Sequence, residues 1–169
     1  DNKFGTVGLD IGDGIFEITT MRKEGDYKDH RHPVAVSWTN QIEEDLKRRD
    51  FTINAMAMDS KANIVDPYHG QEDLKDKLIR AVGESEKRFQ EDALRLIRAI
   101  RFAAQLEFSI EESTFDSIKK NASLLKEIAH ERIRDELFKI LKSNNPYEGI
   151  VKLKEAGILQ IILPELEKC

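Results

Sequence analysis

Apolar and polar residues alternate along residues 1–83 in short runs, a pattern that predicts β-strands. Two such runs, FGTVGLDI and IFEITTMR, flank the turn signal GDG and predict a β-hairpin. A second hairpin is predicted over residues 55–67, with its turn at residues 59–62. The same region predicts three smaller elements: a helix through Ile42 and Leu46, a helix over residues 71–77, and a strand, LIRAV, that ends at Gly83.

Beyond Gly83 the spacing of apolar residues changes from two to about 3.6, which is typical of amphipathic helices. Pro146 suits the first turn of a helix, and Gly157 suits the end of one. Helices are predicted over residues 86–106, 111–121, 130–143, 146–156 and 158–167. The sequence therefore predicts an α+β fold, with a β-rich front, a helical back and a boundary near Gly83.

The segment EDALRLIRAIRFAAQLEF predicts a helix with two different faces. On a helical projection, apolar residues share one broad arc: Ala93, Leu94, Leu96, Ile97, Ile100, Ala103 and Ala104. The opposite arc carries a polar residue at every third position: Asp92, Arg95, Arg98 and Arg101. A solvated face with ion pairs is one interpretation. The other is an anion site, because three like charges in a row repel each other unless an anion binds.

Composition and charge narrow the function classes. The 169 residues carry a net charge of −5, which argues against a generally basic nucleic-acid coat, yet seven of the eleven arginines lie between Arg48 and Arg101. The single cysteine, Cys169, excludes a disulfide framework and fits a reducing, cytoplasmic setting. No leader or membrane-length apolar run is evident. The first residue is not methionine, so we expect a segment of a longer protein.

Other polar clusters have a plain structural interpretation beside a functional one. Residues 48–50, Arg-Arg-Asp, could end a helix with a local salt bridge, and Asn54 could be a turn-forming asparagine. The DPYHGQEDL segment reads as a turn into a helix, since its spacing is not that of a zinc site. Asp10 and Asp13 are three apart, so we reject them as metal ligands on one strand face. Glu17 is either a catalytic carboxylate or an outward-facing strand residue.

Three segments, in this order, resemble conserved motifs of one family: RRDFTINAMAMD, DPYHGQEDLKDKLIRAVG and EDALRLIRAIRF. The family is that of the class II tRNA nucleotidyltransferases, the CCA-adding enzymes, together with the bacterial poly(A) polymerases. FGTV and FEITTMR resemble parts of the family's catalytic head, and HERIRDELFKIL resembles its helical neck and body. The resemblance implies the last part of a head over residues 1–83, a neck with the nucleotide-reading helix over 84–145, and the start of a body over 146–169.

The resemblance also implies roles for individual residues. Arg49, Asp50 and Asn54 would hold the sugar and phosphates of a nucleotide. Asp92 and Arg95 would hydrogen-bond the incoming base as a protein template, and two further arginines would line the pocket: Arg98 and Arg101. The family's head begins with a Gly-rich turn and an Asp-x-Asp pair that binds two Mg²⁺ ions. Neither lies upstream of Phe4, so we expect Mg²⁺ as cofactor with its main ligands outside these residues, and no turnover by this chain alone.

The function predicted on this basis is part of an RNA 3′-terminal nucleotidyltransferase that adds CCA to the 3′ end of tRNA from CTP and ATP. A-only addition and poly(A) synthesis stay open, since all three activities resemble this pattern. A non-catalytic nucleotide- or RNA-binding module is an alternative of another class. A helical interaction domain, whose arginines meet an acidic partner, is a third.

Overall fold

The computed structural model describes residues 5–12, 14–25, 27 and 33–166. Strands β1 (Thr6–Asp10) and β2 (Ile15–Thr19) pair antiparallel, which confirms the first predicted hairpin. At its turn, the amide of Ile11 donates to the carbonyl of Gly14 at 3.3 Å. Asp13 lies outside the described residues.

The run IFEITTMR does not form one strand. It ends as β2 at Thr19, and β3 (Arg22–Glu24) pairs instead with β4 (Val36–Trp38). The buried side chain of Asp45 accepts a hydrogen bond from the backbone amide of Arg22 at 3.1 Å. This bond ties β3 to the following helix, a contact that alternation alone cannot predict.

The middle of the chain holds short elements. Helix α1 (Ile42–Lys47) and a 3₁₀ turn (Thr52–Asn54) precede β5 (Ala57–Met58) and β6 (Ile64–Val65), which form the second predicted hairpin. Helix α2 (Gly70–Lys75) follows. Asp66 accepts the amides of Gly70 and Gln71 at 2.7 and 2.9 Å, so it caps this helix.

The predicted helix over residues 86–106 is wrong as a single element. It consists of α3 (Ser85–Glu91) and α4 (Leu94–Leu106), which are separated at Asp92 and Ala93. Asp92 has an extended backbone, with φ −142° and ψ 103°, and its carboxylate accepts the amide of Leu94 at 3.1 Å. Aspartate offers the backbone such a local alternative to helical hydrogen bonds, and here that alternative wins.

Helices α5 (Glu112–Asn121), α6 (His130–Leu141) and α7 (Pro146–Glu155) lie close to their predicted positions. A 3₁₀ helix, Ala122–Glu127, links the first two. The last helix, α8, spans only Leu159–Ile162 instead of residues 158–167. Pro164 disfavours helical geometry at the residue before it, which explains the early end.

Strand β7 (Leu78–Ile79) is shorter than the predicted LIRAV strand, and it pairs in parallel with β8 (Ser109–Ile110). The β8 strand was not predicted. Helices α3 and α4 lie in the connection between these two strands, so the pair anchors both ends of the helical segment. The strand β8 also links the helical back to the β-rich front across the boundary predicted near Gly83.

The main core surrounds α4. The entire apolar arc predicted for this helix is buried: Ala93, Leu94, Leu96, Ile97, Ile100, Ala103 and Ala104. A smaller cluster is formed by Leu46, Ala55 and Val82 under the short front elements. Small antiparallel sheets followed by packed helices confirm the predicted α+β fold. The three-part division at residues 83 and 145 stays a prediction.

Candidate functional site

A cavity of about 470 Å³ opens between the segment at residues 48–54 and helices α4 and α6. Six of the residues predicted from the sequence line it: Arg49, Asp50, Asn54, Asp92, Arg95 and Arg98. Four others complete the wall: Arg48, Leu94, Phe102 and Arg132. Five arginines and two aspartates belong to this lining, so the cavity presents many guanidinium N–H donors, the groups that suit an anionic ligand.

The buried carboxylate of Asp45 orients two of these arginines. It accepts Nη2 of Arg48 at 2.7 Å and Nη2 of Arg49 at 2.9 Å. Burial alone would raise the pKa of Asp45, but hydrogen bonds from the amide of Arg22 and from both guanidinium groups lower it below the usual value. The side chain of Arg49 is 42% exposed against 14% for Arg48, so Arg49 is the one that presents charge to a ligand.

Asp50 connects the residues that form the cavity floor, which are Asn54 and Arg98. Its Oδ1 accepts the amide of Phe51 at 2.9 Å and Nδ2 of Asn54 at 3.1 Å, while its Oδ2 accepts Nε and Nη2 of Arg98 at 2.8 and 2.5 Å. Burial opposes ionisation of Asp50, but the ion pair with Arg98 and these hydrogen bonds lower its pKa. Asp50 therefore stays ionised and fixes Arg98 and Asn54 for a ligand.

Arg95 is buried, and three hydrogen bonds hold it. Its Nη1 donates to Oε2 of Glu91 at 3.1 Å and to the carbonyl of Arg88 at 3.2 Å, and its Nη2 donates to the carbonyl of Arg48 at 3.0 Å. A guanidinium carries five N–H donors, so three bonds fix its plane without using all of them.

Asp92 lies at the break between α3 and α4. Its Oδ1 accepts the amide of Leu94, and its Oδ2 lies 3.3 Å from Nη2 of Arg132 on α6. The extended backbone of Asp92 turns this carboxylate toward the cavity wall that Arg95 shares. A carboxylate acceptor and a fixed guanidinium donor thus line the same cavity, and groups of these two kinds can recognise the edge of a nucleobase.

Comparison with known proteins bears on this geometry. A family model described as "Poly A polymerase head domain" matches residues 1–80. A second, described as "Probable RNA and SrmB- binding site of polymerase A", matches residues 107–169. The CCA-adding enzyme of Ligilactobacillus salivarius is 54% identical over 142 residues, which cover 84% of this chain.

The chain belongs to the family of CCA-adding enzymes and poly(A) polymerases.

Solved structures of the family share the fold. The crystal structure of the Bacillus stearothermophilus CCA-adding enzyme in complex with CTP has a TM-score of 0.85 and 40% identity, and the match covers 94% of this chain and 38% of that one. A tRNA nucleotidyltransferase complexed with a primer tRNA and an incoming ATP analog has a TM-score of 0.78 and 35% identity, covering 95% of this chain and 45% of that one. The chain spans 35% of the length of the Ligilactobacillus salivarius relative.

Nucleotidyltransferases of this family typically use divalent metal ions. Across residues 5–12, 14–25, 27 and 33–166, no three His, Cys, Asp or Glu side chains cluster so as to hold a metal ion. The described residues therefore offer no metal centre built from three or more such side chains. In the same described residues, no helix has the length and apolar character needed to cross a bilayer.

The expectation that the arginines of α4 need a bound anion to offset their mutual repulsion is wrong. Every one of the three has a carboxylate within an ion-pair distance, contributed from outside α4. The pairs are Arg95 with Glu91, Arg98 with Asp50, and Arg101 with Glu136. Arg48, Arg49 and Arg132 have carboxylate partners too: Asp45 for the first two, and Asp92 for Arg132. The cavity therefore offers guanidinium groups that ion pairs hold in place, and not an unpaired ridge on one helix.

Arg101 does not line the cavity. It is buried, its Nε lies 3.2 Å from Oε2 of Glu136, and its guanidinium carbon lies 4.0 Å from the ring centroid of Phe102. Phe102 in turn packs edge-on against Phe51, with ring centroids 5.8 Å apart. Arg101 therefore supports the cavity wall from behind, through Phe102, and direct nucleotide contact by Arg101 stays a prediction.

Glu17 lies away from the cavity lining. It is exposed on β2, opposite Gly8, and neither strand of that hairpin contributes a lining residue. Its catalytic role stays a prediction. The residue that the sequence analysis missed is Arg132, which lies in HERIRDELFKIL and meets Asp92 from 40 positions away. Its place in a helical motif was visible, but no local pattern reveals its partner.

Proposed function

We propose that these residues form the nucleotide-selecting part of a template-independent RNA 3′-terminal nucleotidyltransferase that adds CCA to tRNA from CTP and ATP. One observation supports the proposal: a segment of the β-rich front and helix α4 of the back, joined by hydrogen bonds between residues 47 and 48 positions apart, line one cavity with five arginines and the carboxylate of Asp92.

The cations suit the phosphates of a nucleotide. Arg49 is the more exposed of the two arginines that pair with Asp45. Arg98 donates two hydrogen bonds to one oxygen of Asp50, and its side chain is partly exposed. Guanidinium groups bind phosphate oxygens through paired hydrogen bonds. These contacts carry no base information, so they serve CTP and ATP alike.

Asp92 and Arg95 supply the base selection. C and A present an exocyclic amino group where U and G present a carbonyl oxygen, and a carboxylate accepts only from the amino group. With U or G in the cavity, the carboxylate of Asp92 faces a carbonyl oxygen, and neither group can donate a hydrogen bond. Leaving such a desolvated polar group unpaired costs roughly 1–3 kcal/mol of binding free energy. The pair therefore favours the two nucleotides that CCA requires.

Relatives support the partners of this proposal. One related structure is described in complex with CTP, and another with a primer tRNA and an incoming ATP analog. The tRNA 3′ end, CTP and ATP are accordingly the proposed partners. Mg²⁺ as cofactor and a cytoplasmic location belong to the same proposal.

The test is titration calorimetry of the 169-residue chain with CTP, ATP, UTP and GTP. We expect CTP and ATP to bind more tightly than UTP and GTP, and Asp92→Ala to narrow that difference by roughly 5- to 150-fold, the equivalent of 1–3 kcal/mol. Asp116→Ala is the control, because Asp116 is exposed on α5 and pairs only with Lys119 among the ion pairs described. Equal binding of all four nucleotides would refute the proposal.

Preference for ATP over CTP would instead indicate an A-adding enzyme or a poly(A) polymerase. Nucleotide binding without incorporation, in a form of the protein extended to the length of its relatives, would indicate a non-catalytic module. That assay uses tRNA lacking its last three nucleotides, with each nucleotide offered singly.

A further inference from the structure

Arg132 lines the cavity from helix α6, whereas Asp92 and Arg95, the proposed base-reading pair, lie at and near the start of α4. It lies in the first turn of α6, and its Nη2 reaches Oδ2 of Asp92 at 3.3 Å. Arg132 also lines the cavity itself. A residue of α6 therefore contacts the carboxylate on which base selection rests.

The contact restrains that carboxylate at its second oxygen. The amide of Leu94 already holds Oδ1 of Asp92 at 3.1 Å, so Arg132 at Oδ2 completes a two-point attachment. A carboxylate has about four lone-pair positions, and each of these oxygens keeps one for a further donor. The group is thereby fixed in plane and still able to accept from a base.

Selection against the carbonyl oxygen of U or G requires that the carboxylate plane of Asp92 be fixed. A carboxylate that can turn about its side-chain bonds would swing away from the carbonyl of U or G and avoid the unfavourable contact. A carboxylate held at both oxygens cannot turn, so it retains the full mismatch. Preorganised groups discriminate more strongly than mobile ones for this reason.

One nitrogen of Arg132 has a donor left over. Its Nη1 is buried and has no hydrogen-bond partner among the described residues. Buried N–H groups are nearly always paired, so this donor is available to a water molecule or a ligand. Arg132 thus holds Asp92 through one nitrogen while a second donor lies beside it.

We propose that Arg132 is a positioning residue that sets nucleotide selectivity by fixing the carboxylate of Asp92. This inference rests on the proposed function, because it assumes that Asp92 reads the base. Arg132 acts through Asp92 and makes no contact with the base of its own. The alternative is that the contact between Arg132 and Asp92 only anchors α6 to the break between α3 and α4.

The experiment compares nucleotide affinities of three variants of the chain by calorimetry. Arg132→Met keeps an unbranched apolar stem and removes every donor, and Arg132→Lys keeps the charge without the fork. Arg134→Met is the matched control, since Arg134 lies two residues further along α6, is 59% exposed and pairs with its neighbour Asp135. Circular dichroism and thermal unfolding confirm that each variant folds.

We expect Arg132→Met to lower the CTP-to-UTP and ATP-to-GTP affinity ratios on the order of tenfold, the size typical of coupling within one hydrogen-bond network. Arg132→Lys should restore part of the ratio, and Arg134→Met should leave it unchanged. In the Asp92→Ala background, adding Arg132→Met should change the ratio no further.

Two results would overturn the inference while leaving the proposed function intact. One is an unchanged ratio in a folded Arg132→Met chain that has lost only thermal stability, which assigns Arg132 to anchoring alone. The other is a further fall of the ratio on adding Arg132→Met to Asp92→Ala, which would mean that Arg132 contacts the base directly. A wild-type chain that binds all four nucleotides equally would overturn the proposed function itself.

Discussion

Replacing Asp50 by alanine tests whether the cavity floor is held by a single carboxylate. Asp50 accepts four hydrogen bonds, two of them from Arg98 and the others from the amide of Phe51 and the side chain of Asn54. The substitution removes all four acceptor contacts and leaves the charge of Arg98 without its partner. The expected result is a less stable chain with a disordered cavity floor.

The size of the effect follows from the burial of the two partners. Removing one partner of a buried ion pair costs about 3–5 kcal/mol. The side chain of Arg98 is 31% exposed, so water can take over part of the lost interaction, and we expect about 3 kcal/mol, the lower end of that range. In a chain of this length, about 1 kcal/mol moves Tm by ~2–4 °C, so Tm should fall by roughly 6–12 °C.

The assay is thermal and urea unfolding of the wild-type chain, Asp50→Ala and the exposed control Asp116→Ala, at several pH values. The pKa of Asp50 is lowered in the folded chain. Its contribution is therefore fully present above the unfolded-state pKa of about 3.9, and it is lost as the pH falls through the lower folded-state value. The stability difference between wild type and Asp50→Ala should shrink below a pH of about 4. A loss at neutral pH no larger than that of Asp116→Ala would refute the reasoning.

Three further changes probe the packing and the ligand contacts. Gly149→Ala should lower the urea midpoint by an amount equivalent to about 1–3 kcal/mol, because a Cβ at this position would lie 2.4 Å from Cγ2 of the buried Ile140. An unchanged midpoint would show that α6 and α7 separate easily. Arg49→Ala should weaken CTP and ATP binding to a similar degree in calorimetry, and a loss confined to one nucleotide would mean that Arg49 reads the base. Glu136→Gln should destabilise the fold by about 1–3 kcal/mol in the same urea series, because Arg101 stays buried without its counter-charge, and wild-type stability would contradict that role.

The features that the sequence predicted well are those with a local signature. The apolar arc of α4 repeats at helical spacing, so its burial could be read from residues 93–104 alone. The turn of the first hairpin carries Gly12 and Gly14, and the turn between β5 and β6 carries Asp59, whose carboxylate accepts the amides of Lys61 and Asn63. The candidate site was predictable because its residues fall within short motifs, which place Arg49 beside Asp50 and Asp92 beside Arg95.

The features that were missed depend on partners far along the chain. The parallel pairing of β7 with β8 joins two-residue strands that carry almost no alternation of their own. The burial of Arg101 depends on Glu136, which lies on a different helix. The split between α3 and α4 occurs where Asp92 accepts the amide of Leu94 instead of continuing the helix, and Arg132 contacts the same carboxylate from 40 positions away.

The hydrogen bonds that join residues 47–50 to helices α3 and α4 have a consequence for folding kinetics. Arginines of the two helices reach that segment across sequence separations of 41, 47 and 48 residues: Arg88 to Lys47, Arg95 to Arg48 and Arg98 to Asp50. Closing such long loops costs chain entropy before any contact forms, so these bonds are expected after the helices have packed. Contacts absent from the transition state affect unfolding more than folding. A nucleotide that bridges both sides should therefore slow the unfolding of the chain and leave its folding rate nearly unchanged.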